Sequence, residues 1–296
     1  MIDSQKKVLV LLATFNGEKY VEKQIETILS QKQVDVHILI SDDLSTDNTM
    51  DIIRKFSDSH KNITILESKN KFGSAAANFF HLVNNSNLIN YDYAAFSDQD
   101  DIWFEDKLFD GITKLEQLNA DGFSSDVIAF WPQKGKKNLL KKSFPQKKYD
   151  YFFEGPGPGC SQIFTSSSFS KFRDFIIEKK KYLHKIDYHD WLIYSFYRNN
   201  NYKWVISNTP KMLYVQHETN QIGANSGLFA KIHRIKKIQN NWYSNQVLNN
   251  FSLIVNKDFR ALVTKEKLIF KPFSLRRKIS HSVFIWLLLI LRIFNR

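Results

Sequence analysis

Three carboxylates in four positions, Asp98, Asp100 and Asp101, follow the apolar run Tyr93-Ala94-Ala95-Phe96. Anions crowded in this way repel one another unless a cation sits among them. A divalent ion bound through oxygen ligands, bridging a substrate's phosphates to one or two carboxylates, would supply that charge. The cluster therefore fits a metal-phosphate site. It also fits an acidic turn capping a helix expected over 104–118, because Asp is favoured at helix starts. The rest of the chain has to decide between the two.

The elements that must position this cluster are legible upstream. Short apolar runs at 8–13, 36–41 and 63–67 alternate with amphipathic stretches at 18–31, 48–57 and 74–83. This pattern predicts a parallel sheet covered by helices. In that architecture ligands collect at the carboxyl ends of the strands. Polar signatures fall at four such ends: Thr14-Phe15-Asn16-Gly17, Asp42-Asp43, Asn70-Lys71-Phe72-Gly73 and the Asp98 cluster. Beyond about residue 120 a strand is expected at 127–131 and helices around 169–181 and 190–198. A lysine-rich loop is expected at 134–148, and Gly155-Pro156-Gly157-Pro158-Gly159 must be an irregular turn.

The 296 residues, 43% hydrophobic and 24% charged, are those of an ordinary globular protein able to bury one large core or two modest ones. A single cysteine, Cys160, excludes an internal disulfide and a multi-cysteine zinc site, and suits a reducing compartment. The N-terminal apolar run is short and lacks a small-residue cleavage site, so it reads as a buried first strand and not a signal peptide. From Lys231 onward fourteen Lys/Arg face only Asp258 and Glu266, so the net charge of +12 belongs to the C-terminal fifth. Such asymmetry points to an anionic partner, membrane lipid or nucleic acid.

Taken in order, these motifs resemble family 2 glycosyltransferases of the GT-A fold, and within them bacterial rhamnosyltransferase-like members. The resemblance spans roughly 7–225. It rests on Ala13-Thr14-Phe15-Asn16-Gly17 with Tyr20, Ser41 to Thr49, Asn70 to Gly73 with Ala77-Asn78, and Asp98-Gln99-Asp100-Asp101. His189-Asp190-Trp191 and Gln216-His217 with Asn220 and Gly223 complete it. It implies an α/β, Rossmann-like, mostly parallel sheet flanked by helices, with a GT-A domain over 1–228. The nucleotide-sugar half would be about 1–120, the acceptor half about 121–228, and 229–296 a basic, amphipathic helical C-terminal region.

The resemblance also implies roles. Backbone around Ala13 and Phe15, with Asn16, Glu18, Asn78 and the Asp42 side chain, would hold the nucleotide. A carboxylate suits a base that presents an imide N–H, as uracil and thymine do. Asp98 would take the ribose hydroxyls, and Asp100 the Mn²⁺ or Mg²⁺ bridging the diphosphate, with His217 completing the metal site. Asp101 would be a supporting or helix-capping residue, and Ser45 or Asp47 would cap the helix after the second strand. Asp190 would be the general base of an inverting transfer, with Gly159, Cys160, His189 and Trp191 around sugar and acceptor. Trp191 is open to either walling that pocket or filling the core.

The implied reaction moves a sugar, L-rhamnose from dTDP-L-rhamnose or a hexose from a UDP-sugar, to a polyprenyl-linked glycan in cell-surface polysaccharide synthesis. A nucleotidyltransferase would need a glycine-rich basic loop after the first strand, which Thr14 to Glu18 lacks. A non-catalytic membrane-associated scaffold on the same fold is the other alternative. Nine apolar residues at 283–291 fall short of the roughly 20 of a spanning helix, but with Arg276-Arg277-Lys278 before them they suit an interfacial helix. The expected location is the cytoplasm, peripheral on the inner membrane. The same helix could instead be a core element or homodimer contact. Nucleic acid is disfavoured, since the basic residues flank an apolar block instead of interleaving with aromatics.

Overall fold

The computed structural model describes residues 5–217, 241–255 and 259–290. The first strand, β1 (Lys6–Thr14), has Val8, Val10 and Leu12 on one face and Leu9, Leu11 and Ala13 on the other, and both sets are buried. Two-sided burial is what a central strand of a parallel sheet requires. β1 pairs in parallel with β2 (Val34–Asp42) on one side and with β4 (Tyr93–Ser97) on the other; β3 (Ile63–Leu66) lies beyond β2. The chain thus winds outward through β2 and β3, then returns to β1's other edge. That reversal opens a crevice beyond Thr14 and Ser97, the place where such sheets bind ligands.

Among the described residues the main sheet has seven strands, in the order β10-β6-β9-β4-β1-β2-β3. Here β6 is Gly122–Ser125, β9 is Ile163–Thr165 and β10 is Trp204–Ser207. β9 runs antiparallel to both neighbours, and every other pairing in this sheet is parallel. A second sheet of β5 (Ile102–Trp103), β11 (Met212–Val215), β7 (Val127–Trp131) and β8 (Lys136–Leu140) carries Val215 and the following His217 back to the acidic cluster.

Helices α1 (Val21–Leu29), α2 (Thr49–Ser59) and α4 (Lys107–Gln117) cover one face of the main sheet. Helices α3 (Ala75–Asn85), α6 (Ser166–Lys179) and α7 (His189–Asn199) cover the other. The C-terminal helices at Trp242–Val255, Phe259–Lys265 and Ile279–Ile290 build a third apolar cluster. Val247, Phe251, Leu275 and Ile285 there meet Phe152, Phe153 and Trp191.

Three local expectations are corrected. The lysine-rich stretch 134–148 is not all loop: Lys136–Leu140 is an edge strand on β7, and its exposure explains why no apolar period marks it. The helix expected from residue 104 starts at Lys107 after Asp106, so Asp101 caps nothing. The first helix starts at Val21, after a turn in which the Tyr20 and Val21 N–H groups donate to the Gly17 carbonyl and the Glu18 N–H goes out to Asp47. Asn48 stands at the N-cap of α2 without a side-chain cap bond, and Asp47 just before it accepts the Thr49 N–H at 3.0 Å.

Candidate active site

The loop after β1 is held from three directions. The Gly17 N–H donates to Thr49 Oγ1 at 2.7 Å and the Asn16 N–H to Ser45 Oγ at 2.8 Å, while Asn16 Oδ1 accepts the Thr46 N–H. Glu18 Oε2 accepts both the backbone and side-chain N–H of Asn48. From β4's end, Gln99 makes a reciprocal pair with Phe15: Oε1 accepts the Phe15 N–H at 2.8 Å and Nε2 donates to the Phe15 carbonyl at 2.9 Å. A Cβ on Gly17 would collide with the Gln99 amide, so glycine lets this amide reach the Phe15 backbone where the two segments touch. Asn16 and Leu44 hold positive φ of 47° and 55°, backbone strain concentrated on the two loops that face the crevice.

Asp42 is buried at the end of β2 and accepts from Thr14 Oγ1 at 2.7 Å, the Ser45 N–H at 2.7 Å and Ser45 Oγ at 2.6 Å. Its neighbour Asp43 accepts the backbone N–H groups of Phe72 and Gly73, which ties the loop after β3 to the site. From that loop Lys71 places its ammonium 4.4 Å from the ring centre of Phe15. Asn78, reaching in from α3, donates to the carbonyls of Thr14 and Ser41 and so staples β1 to β2 beside Ala13. The predicted nucleotide residues therefore converge on one rim, several of them already bonded to one another.

Within the acidic cluster the three carboxylates part ways. Asp100 Oδ2 meets His217 Nε2 at 2.6 Å, and the imidazole lies flat on Tyr20 with centroids 4.5 Å apart. Asp101 is 1% exposed; its Oδ1 accepts the Val215 N–H and its own N–H donates to Gln24. Asp98 directly follows β4. Burial, with Asp100 and Asp190 nearby, pushes its carboxyl up to about 7 against the hydrogen bond from Cys160. Burial, with Asp101 and Asp98 nearby, keeps the Cys160 thiol well above its ordinary range.

Two donor sets could therefore take a cation. Asp98, Asp101 and Cys160 offer atoms within 4.8 Å of one another. A protonated thiol is a poor ligand, however, and Asp101 already serves Val215. Asp100 and His217 bring a carboxylate oxygen and an imidazole nitrogen within 2.6 Å of each other, paired here, and both are donor types that a divalent ion accepts. Sequence reasoning also passed over Lys107, buried with its ammonium 3.4 Å from the Trp103 ring centre beneath the cluster. No motif marks it; only the fold brings it there.

Asp190 sits in the first turn of α7 with Oδ1 accepting the Trp191 N–H, and burial raises its carboxyl to about 6. His189 is stacked on Phe79 at 3.8 Å, and burial lowers its imidazole to about 3, so it is neutral. A Cβ on Gly159 would stand 2.7 Å from His189 Nε2 and 3.4 Å from Asp190 Cβ, which explains the glycine next to buried Cys160. Trp191 is 4% exposed and donates to the Tyr151 carbonyl, so its indole fills the core.

A mostly parallel sheet with a switch point at β1/β4 and a carboxylate cluster at that point is the architecture of a GT-A glycosyltransferase. The fold matches a mannosyltransferase from Pyrobaculum calidifontis solved with GDP-Man and Mn²⁺: TM-score 0.55, 13% identity, 97% of this chain and 72% of that one. Residues 9–179 match the model of glycosyl transferase family 2, and the chain belongs to that family. It is 44% identical over 290 residues to the dTDP-rhamnosyl transferase RfbG of Shigella flexneri, covering 96% of this chain and 100% of that protein. It is 27% identical over 197 residues to WfgD of Escherichia coli, a UDP-Glc:alpha-D-GlcNAc-diphosphoundecaprenol beta-1,3-glucosyltransferase. That match covers 66% of this chain and 71% of WfgD.

Proposed function

We propose that this glycosyltransferase moves L-rhamnose from dTDP-L-rhamnose, with inversion, onto a glycan carried by a polyprenyl diphosphate. The observation that carries the donor assignment is the full-length similarity to the rhamnosyl transferase of Shigella flexneri. The acceptor class rests on the diphosphoundecaprenol-linked substrate in the name of the Escherichia coli relative. Asp42, Asn16, Asn78, Glu18 and the Ala13–Phe15 backbone hold the nucleotide rim, and Asp98 faces the ribose.

Asp190 takes the proton from the acceptor hydroxyl as its oxygen bonds to the anomeric carbon and the bond to the nucleoside diphosphate breaks. A carboxyl raised to about 6 is matched to that task near neutral pH. Neutral His189 and Gly159 shape the floor on which the sugar lies. Asp100 and His217 would hold Mn²⁺ or Mg²⁺, which supplies positive charge to the departing diphosphate. The mixed oxygen and nitrogen pair favours Mn²⁺ of the two.

The surface of the C-terminal segment supports binding at a membrane face. Phe270 and Phe273 are 75% and 60% exposed, with Ile279, Phe284, Leu287 and Ile290 also outward, and Lys267, Lys271 and Lys278 lie among them. No helix among the described residues is long and apolar enough to cross a membrane. Apolar side chains ringed by lysine suit the boundary of an anionic bilayer. The donor assignment is tested by thermal shift with Mn²⁺ and a panel of nucleotide sugars. dTDP-L-rhamnose should raise the melting temperature more than any UDP-hexose; a larger shift from a UDP-hexose would reverse it.

A further inference from the structure

Behind the Gly155–Gly159 turn lies a group of cations that the transfer reaction does not use. Arg277 is 4% exposed; its backbone N–H donates to Glu154 at 2.6 Å and its Nη2 to the Gly155 carbonyl at 2.7 Å. Arg276, partly exposed, reaches Glu154 at 3.2 Å through Nη2. Nε of both arginines is buried without a hydrogen-bond partner among the described residues, as is Nη1 of Arg277, which stands 3.6 Å from Asp150. Asp150 is itself already engaged by Arg198 at 3.1 Å. From the loop after β8, Lys142 lies against the same turn, its Cγ 3.5 Å from the place a Cβ on Gly157 would take. Its ammonium has no ion pair within 4.0 Å among the described residues. Burial and the repulsion of both arginines lower its affinity for a proton, while Glu154 and Asp190 oppose that.

Three cations thus gather around two paired acids, Glu154 and Asp150, the second of them shared with Arg198, and donor N–H groups are left over. A bound oxyanion would relieve the repulsion and accept those donors in charge-assisted bonds. The segment itself suggests which oxyanion. Arg276 and Arg277 lie between Phe273 and Ile279, two of the outward apolar residues, so one stretch of chain turns cations inward and an apolar edge outward. A lipid diphosphate has the same division, a charged head on an apolar tail. The turn these cations support also carries Gly159, packed on Asp190.

We propose that Lys142 and Arg276, backed by Arg277, form a subsite for the diphosphate of the lipid-linked acceptor, separate from the donor's diphosphate site. The subsite sets the distance from the acceptor's lipid head to Asp190. It deepens the acceptor reading above and rests on it.

Calorimetric titration of geranyl diphosphate into the full-length enzyme, with the donor site filled by saturating dTDP and Mn²⁺, tests this. Saturable binding is expected, weakened about tenfold in Lys142→Gln and in Arg276→Gln, the effect of losing one charged hydrogen bond. Affinity for dTDP alone should match wild type in both, which also shows that they fold. Lys142 is partly exposed and bonds through no side-chain atom among the described residues, so its variant tests the site without disturbing the core. No binding to wild type, binding that dTDP abolishes, or equal binding by both variants would overturn the subsite. If geranyl diphosphate binds as expected but no diphosphate-linked glycan is glycosylated, the acceptor reading fails and the anion site stands.

Discussion

Asp100 Oδ2 and His217 Nε2 lie 2.6 Å apart although 117 residues separate them, and the imidazole is stacked on Tyr20 from a third element. On the proposed function, these two atoms, brought together from beyond β4 and beyond β11, would hold the divalent ion. Asp100→Asn and His217→Ala should each weaken Mn²⁺ binding by at least about tenfold. Tyr20→Ala, which removes only the ring that orients the imidazole, should weaken it less. Mn²⁺ titration followed by electron paramagnetic resonance measures all three. Unchanged affinity in His217→Ala would remove the histidine from the metal site.

The Gln99 amide closes both backbone groups of Phe15 across the crevice. Gln99→Leu should leave the fold intact, free that loop and raise KM for the donor about tenfold with a smaller effect on kcat, since two hydrogen bonds of roughly 1 kcal/mol each are lost. Gly17→Ala should act in the same direction by pushing the amide aside. Steady-state kinetics with varied donor separates the two parameters, and a pure kcat effect would contradict a positioning role.

Much of this was legible in the chain. β1 to β4 and their helices follow from apolar runs and amphipathic periods, because a two-sided buried strand permits little else. The Asp98 cluster was marked by charge density. What the sequence hid were tertiary pairings. Asp101 looked like a cap because it precedes a helix, but Val215, 114 residues away, binds its carboxylate inside. The edge strand at Lys136–Leu140 has no buried face and so left no pattern. Lys107 carried no signal, and Arg277 was expected with Arg276 and Lys278 to meet lipid; only packing from distant segments buries the two.

His189 is held neutral against Phe79, with its folded-state pKa lowered to about 3 from 6.5. Between those values the unfolded chain binds a proton that the folded chain refuses, so stability rises with pH across that window and falls on acidification. The slope from this group approaches about 1.4 kcal/mol per pH unit below 6. His189→Gln should flatten that part of the curve. Urea midpoints measured between pH 4 and 7 would show this, and parallel curves for the two proteins would contradict it.

Phe270 and Phe273 form the most exposed part of the C-terminal apolar edge. Replacing both with Ser should lower binding to phosphatidylglycerol vesicles by tenfold or more in flotation assays, with dTDP affinity retained. High salt should weaken wild-type binding as well, through screening of the flanking lysines. Retained vesicle binding in the double variant would place the membrane contact elsewhere.

The central claim, inverting rhamnosyl transfer with Asp190 as base, is tested most directly by the anomeric configuration of the product. The enzyme would be given dTDP-L-rhamnose, Mn²⁺ and a lipid diphosphate-linked glycan, and the product read by nuclear magnetic resonance beside Asp190→Asn. The account predicts a rhamnoside of configuration opposite to the donor's. Its rate should fall below a pH of about 6 as the carboxyl gains its proton, and Asp190→Asn should be slower by about 10² to 10⁴. Retained configuration, or full activity in Asp190→Asn, would contradict it.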